Sequence, residues 1–139
     1  MSSRYFQAVY QIITTGHWIT DQISKELKEF GVTEPQYNVL RILKGAKGKP
    51  VTVNQILENM VQRSSNITRI VDKLLSKGLA ERKECPTNRR KMDITITDEG
   101  LKQLKILEKK VQAFHQPFMK KLNSEELDTI NNLIQKLKA

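Results

Sequence analysis

The stretch SSNITRIVDKLLSKGLAERK, residues 64–83, decides the fold. Ile67, Ile70, Val71, Leu74 and Leu75 fall at i, i+3, i+4, i+7 and i+8, the spacing of one helix face turned toward a core. Gly78 then stands where a left-handed residue ends a helix, and the period changes. Residues 79–84 read as a strand, Cys85-Pro86-Thr87-Asn88 as a turn, and 92–96 as the returning strand, where Met92, Ile94 and Ile96 alternate with polar residues. The spacing therefore predicts a helix over about 64–77 followed directly by a hairpin.

Working outward, Thr52-Val53-Asn54-Gln55 carries the capping-box pattern and opens a short helix with Val53, Ile56, Leu57 and Met60 inward. Two short helices, a tight turn and a two-stranded hairpin make a winged helix-turn-helix. Upstream, Thr33-Glu34-Pro35-Gln36 is a second helix start, leading through Tyr37, Leu40 and Leu43 into the stop GAKGKP. Before it, Val9, Ile12, Gly16, Ile19, Ile23, Leu27 and Phe30 predict one long helix over 4–30, ending before Gly31. Downstream, Thr97 caps a helix with Leu101, Leu104, Val111, Phe114 and Phe118 on one side, which Pro117 should kink or end. Asn123-Ser124-Glu125-Glu126 starts a last helix with a stripe of Leu127, Ile130, Ile134 and Leu137.

The expected class is thus mainly α with a small β-hairpin wing. It is a single domain over 1–139, a winged helix-turn-helix over 33–100 with long N- and C-terminal dimerisation helices in 1–31 and 101–139. The dimer follows from the stripes: a small winged-helix core cannot cover both terminal helices, and a symmetric partner is the simplest cover. Folding back onto the monomer core is the alternative.

Composition agrees with one soluble domain of 139 residues, 38% apolar and 28% charged. The first residues lack the basic and apolar regions of a signal peptide, and the uncharged stretch 5–20 is too short and polar to span a bilayer. A single cysteine suits a reducing cytoplasm. The net charge is +9, and residues 62–91 hold nine Lys and Arg against three acids, so most of the excess lies in the middle of the chain. Such a stripe favours a polyanion, most often nucleic acid, over a merely solvated face.

The second helix of the pair presents Ser65, Asn66, Arg69, Asp72, Lys73 and Ser76 opposite its apolar side. Asn pairs bidentately with adenine and Arg with guanine in the major groove, while hydroxyls bond bases or phosphates. In helix-turn-helix docking the N-terminal residues of that helix reach the base edges. The candidate contacts to double-stranded DNA are therefore Ser64, Ser65, Asn66, Thr68, Arg69 and Lys73 on the helix and Arg89, Arg90 and Lys91 in the wing. A wing arginine can enter the adjacent minor groove, and its basic neighbours suit phosphates. Taken alone, the polar face could simply meet water. The conjunction of capped first helix, tight turn, small polar residues and basic hairpin argues for DNA.

RSSNITRIVDKLLSKGLAERK and NRRKMDITITDEG together resemble the MarR family of bacterial and archaeal transcription regulators. The matching pieces are Thr68-Arg69, Val71-Asp72-Lys73-Leu74, Gly78-Leu79, the wing arginines and Ile96-Thr97-x-x-Gly100. The Thr33-x-x-Gln36 start and the turn from Leu122 to Leu127 extend the likeness over nearly the whole chain. The resemblance implies a homodimer with interlocked terminal helices on a palindromic operator. It often implies a repressor released by a small aromatic or anionic effector. The resembled wing usually begins with an aspartate that helps hold its arginine; here the residue is Asn88, which leaves only a weaker amide hydrogen bond.

Four aromatic-type residues, Tyr10, His17, Trp18 and Tyr37, are the candidates for lining an effector cavity, with plain core packing as the alternative. Cys85 is either a redox thiol beside basic groups or a bystander; peroxide sensors of the resembled family carry theirs near the N-terminus, where this chain has none. His17 and His115 lack the spacing of a metal site, and no cofactor is expected. No P-loop, nucleophile elbow or His-Glu-x-x-His is present, which argues against an enzyme. A winged helix acting only as a protein-interaction module is the stronger rival.

Overall fold

The chain, described here from a computed structural model, is defined over residues 3–61, 66–85 and 88–139, with the backbone alone for 84, 85 and 88–91. Helix α1 runs from Ser3 to Lys28, after which Phe30 and Gly31 close a turn and Gly31 takes a left-handed φ of 68°. Helix α2, Glu34–Gly45, starts on a reciprocal cap: the Gln36 N–H donates to Thr33 Oγ1 and the Thr33 N–H to Gln36 Oε1. Strand β1, Val51–Thr52, leads into α3, Val53–Asn59, which the Thr52/Gln55 pair caps in the same manner. Helix α4 follows over Ile67–Ser76.

Gly78 ends α4 at φ 72°, with its N–H donating to the Leu75 carbonyl and the Leu79 N–H to the Leu74 carbonyl, the paired bonds of a Schellman motif. Strands β2, Ala80–Cys85, and β3, Asn88–Ile96, then pair antiparallel, and β1 adds to the other side of β3. Helix α5, Asp98–His115, is capped by Thr97, and α6, Ser124–Lys138, by an Asn123/Glu126 box.

The core is built around α2. Val39, Leu40 and Leu43 meet Leu27 of α1, Ile56 of α3, Val71 and Leu74 of α4, Ile94 of β3 and Leu104 and Leu107 of α5. Ile94, central in its sheet, faces Val51 on one side and Arg82 on the other, and its burial locks the register of all three strands. The terminal helices are treated differently. Leu27 is the one buried residue of α1, and α6 has none.

Several expectations are corrected. The two-stranded hairpin is a three-stranded sheet, because Val51 and Thr52 pair with Ile94 and Asp93; two residues are too few to show alternation. Helix α1 stops at Lys28, before Phe30, and α4 is helical from Ile67; its expected start at Ser64 lies outside the described residues. As expected, Pro117 ends α5: the helix stops at His115, Gln116 keeps helical backbone with its N–H bonded to the Gln112 carbonyl, and Pro117 has no N–H to continue the ladder. Arg89, Arg90 and Lys91 fall within β3, but between two pairs: Met92 faces Glu84 and Asn88 faces Cys85, and the register shifts between those pairs.

Candidate nucleic-acid interface

Helix α4 has two unlike sides. Ile67, Val71 and Leu74 are buried and Ile70 and Leu75 half-buried, while Asn66, Thr68, Arg69, Asp72, Lys73 and Ser76 are exposed. The expected inward and outward faces are thus both found. Three aliphatic side chains packed against α2 and the sheet leave the helix little freedom to rotate. The exposed row is therefore presented in a fixed direction. Asn38 of α2 ties down the chain just after α3: its Oδ1 accepts the Val61 N–H at 2.8 Å.

The sheet lies beside this helix. Arg82 of β2 reaches Asp72 of α4 at 3.8 Å, with both side chains more than half exposed. In that setting the pair contributes little stability and is screened by salt, so it orients more than it holds. A cleft of about 530 Å³ opens between α3, α4 and the sheet, and Thr68, Asp72, Arg82, Met92 and Ile94 are among the residues that line it. Sequence reading missed the Arg82–Asp72 link and the Asn38 anchor, because nothing in the spacing of either residue marks its partner.

Of the nine proposed DNA contacts, Asn66, Thr68, Arg69 and Lys73 come together on one exposed helix surface. Ser64 and Ser65 lie outside the described residues. Arg89, Arg90 and Lys91 are placed by backbone only, at the start of β3. The four effector candidates have separate surroundings. Tyr10 is exposed on α1 beside a shallow depression with Phe6, and His17 is exposed as well. Trp18 packs edge-on against Phe114 and Phe118 with ring centres 5.8 and 5.3 Å away. Tyr37 is in the core; burial raises its phenol above the ordinary value, the Arg41 guanidinium over its ring opposes that, and Glu108 adds to it. Burial likewise raises the Glu34 carboxyl at the start of α2. Among the described residues, no group of three His, Cys, Asp or Glu is placed to hold a metal ion.

A helix locked on one side and polar on the other, next to a three-stranded wing, defines the winged helix-turn-helix class. The model of the MarR family matches residues 30–91. The chain is similar to the HTH-type transcriptional regulator MhqR of Bacillus subtilis, 28% identical over 119 residues that cover 86% of this chain and 81% of that one. Among solved structures it is similar to a MarR transcription factor from Planctomyces limnophilus, with 30% identity, a TM-score of 0.74, and 97% of this chain and 98% of that one covered. A cysteine mutant of MarR from E. coli in complex with operator DNA shares the fold, with a TM-score of 0.82, 23% identity, and 96% and 95% of the two chains covered. The chain belongs to the MarR family and is a DNA-binding transcriptional regulator.

Proposed function

We propose that the chain binds a palindromic operator as a homodimer and represses transcription there until a small effector releases it. The observation that carries the DNA reading is the solvent-facing row Asn66, Thr68, Arg69 and Lys73 on a helix whose opposite side is sealed in the core. Asn66 and Arg69 are the base readers, Thr68 and Lys73 bond phosphates or base edges, and the Ser64 and Ser65 hydroxyls are further DNA contacts. Arg89, Arg90 and Lys91 open the wing strand and grip the neighbouring minor groove and backbone. The operator complex of E. coli MarR, a similar fold, supports this docking.

The homodimer is supported by what the terminal helices leave bare. Tyr5, Phe6, Tyr10, Ile12 and Ile13 of α1 and Leu127, Ile130, Leu133, Ile134 and Leu137 of α6 are all exposed. Rows of that extent mark an association surface. For the effector, Trp18 keeps the better position of the four candidates, since its indole is half exposed in an aromatic corner, whereas Tyr37 is sealed in the core.

The test is a gel shift of the full chain against DNA from its own gene's promoter, followed by selection from a random duplex pool. Recovery of a two-fold symmetric sequence is the expected result. Binding that ignores sequence and barely responds to salt would favour the protein-interaction module instead.

A further inference from the structure

The C-terminal end of α4 is tied down from two directions. Lys77, the residue after the helix, extends its ammonium to the corner between α1 and α2, where it donates to the Gly31 carbonyl and to Gln36 Oε1 at 3.1 Å. Gln36 is the only buried polar side chain among the described residues, and the same Oε1 accepts the Thr33 N–H at 3.3 Å. Both lone pairs of that oxygen are therefore used, one to start α2 and one to hold α4. From the other direction, Thr97 Oγ1 donates to the Gly78 carbonyl at 2.7 Å and accepts the Gly100 N–H at 2.9 Å. Gly100 itself presses so close that a Cβ there would lie 2.1 Å from the Leu79 carbonyl oxygen.

These ties run to the end of α1, which carries a bare apolar surface, and to the start of α5. Gly31 closes the end of α1, and Thr97 and Gly100 open α5, which packs along α1. The polar row of α4 begins a helix length away from them. Ten residues span roughly 15 Å, so about 10° of slack at the tied end would move the far end by roughly 2.5 Å, enough to break a hydrogen bond to a base.

We infer that Lys77 is a positioning residue that fixes the recognition helix to the α1–α2 corner and thereby sets the distance between the two recognition helices of the dimer. The inference rests on the DNA reading above. It assigns Lys77 a role in choosing half-site spacing, although its charge points away from the helix end that meets the bases.

The full-length parent, Lys77→Met, Lys77→Arg and Gln36→Glu are titrated against one probe series. The series is the palindrome selected by the parent, plus versions with the half-sites moved one or two base pairs closer or farther. Each base pair changes both separation and helical phase, so a rigid dimer has a sharp optimum. Lys77→Met is expected to lose about tenfold on the selected spacing, the size of one hydrogen bond from a charged donor, and much less on the shifted duplexes, flattening the optimum. Lys77→Arg keeps both acceptors and restores the optimum. Gln36→Glu preserves the cap and strengthens the acceptor, so it retains the optimum. An equal loss on every spacing, or a flat profile for Gln36→Glu, overturns the inference alone. So does a salt slope lowered by about 0.9 in Lys77→Met, which would make Lys77 a phosphate contact. A parent that selects no palindrome, or binds all spacings alike, overturns the DNA reading and takes the inference with it.

Discussion

Arg69 and Glu34 show how much one side chain's surroundings decide. Arg69 is exposed on the free side of α4, in the half of the helix that docks first, with no burial to compensate if its guanidinium is removed. Arg69→Ala should leave the folding stability within about 0.5 kcal/mol of the parent's, as exposed substitutions usually do. On the operator the same change should cost about 1–3 kcal/mol and relax preference at one symmetric pair of positions. Binding isotherms on single-position operator variants check this; an equal loss at all positions would reassign Arg69 to phosphate. Glu34 behaves in the opposite manner. Its carboxyl is raised from 4.5 by burial, so the folded state holds its proton more tightly than the unfolded state does. The ionised form is therefore a liability that is absent below the unfolded pKa and grows as pH rises through the folded one. Glu34→Gln should be more stable than the parent at neutral pH, with the difference closing as pH falls toward 4. Denaturant melts at both pH values measure it, and a gain that persists in acid would exclude burial as the cause.

At the scale of elements, the chain's punctuation was legible before its pairing was. Three helix starts, at Thr33, Thr52 and Asn123, were read from their four-residue patterns, and each carries both hydrogen bonds of a capping box. The left-handed Gly78 and the two faces of α4 were equally plain, because caps and helical periodicity are local and repeat within a few residues. Strand β1 was not legible, since two residues acquire strand character only from β3 beside them. The same holds for Lys77 and Gln36, which are 41 residues apart and meet only once α1, α2 and α4 are packed. Gly100 is a related case: its pattern was visible, but its reason is a contact with the α4–β2 turn. Gly100→Ala forces a methyl group into the Leu79 carbonyl and the Ile96 side chain, neither able to yield freely. It should destabilise the fold by about 1–3 kcal/mol or more, as overpacking at a rigid site does, and loosen α4 at the same time. Thermal melts combined with hydrogen exchange over α4 test both halves. An unchanged melt would mean that α5 can shift away from the turn at no cost.

For the molecule as a whole, the bare helices set the largest wager. Helix α6 has no buried residue, and its apolar row Leu127, Ile130, Ile134 and Leu137 repeats at helical spacing on a helix that is already well capped. An isolated helix of 15 residues is marginal in water, so a row of this kind needs something to pack on. The monomer core does not supply it; the second copy of the proposed homodimer, with the exposed aromatics of α1 opposite, would. Ending the chain at Leu122 should thus give monomers or aggregates that lose tight operator binding, because two half-sites are then bound independently and not by one rigid body. The winged-helix core of the truncated chain should still fold, since α6 contributes no buried residue to it. Light scattering, far-ultraviolet circular dichroism and a gel shift on the same sample separate these outcomes. Affinity for the full operator should fall toward that of a single half-site, while the salt dependence per half-site, about 0.9 log unit for each phosphate contacted, should stay as it was. A folded dimer of unchanged affinity would take α6 out of the interface and leave α1 to carry the pairing alone.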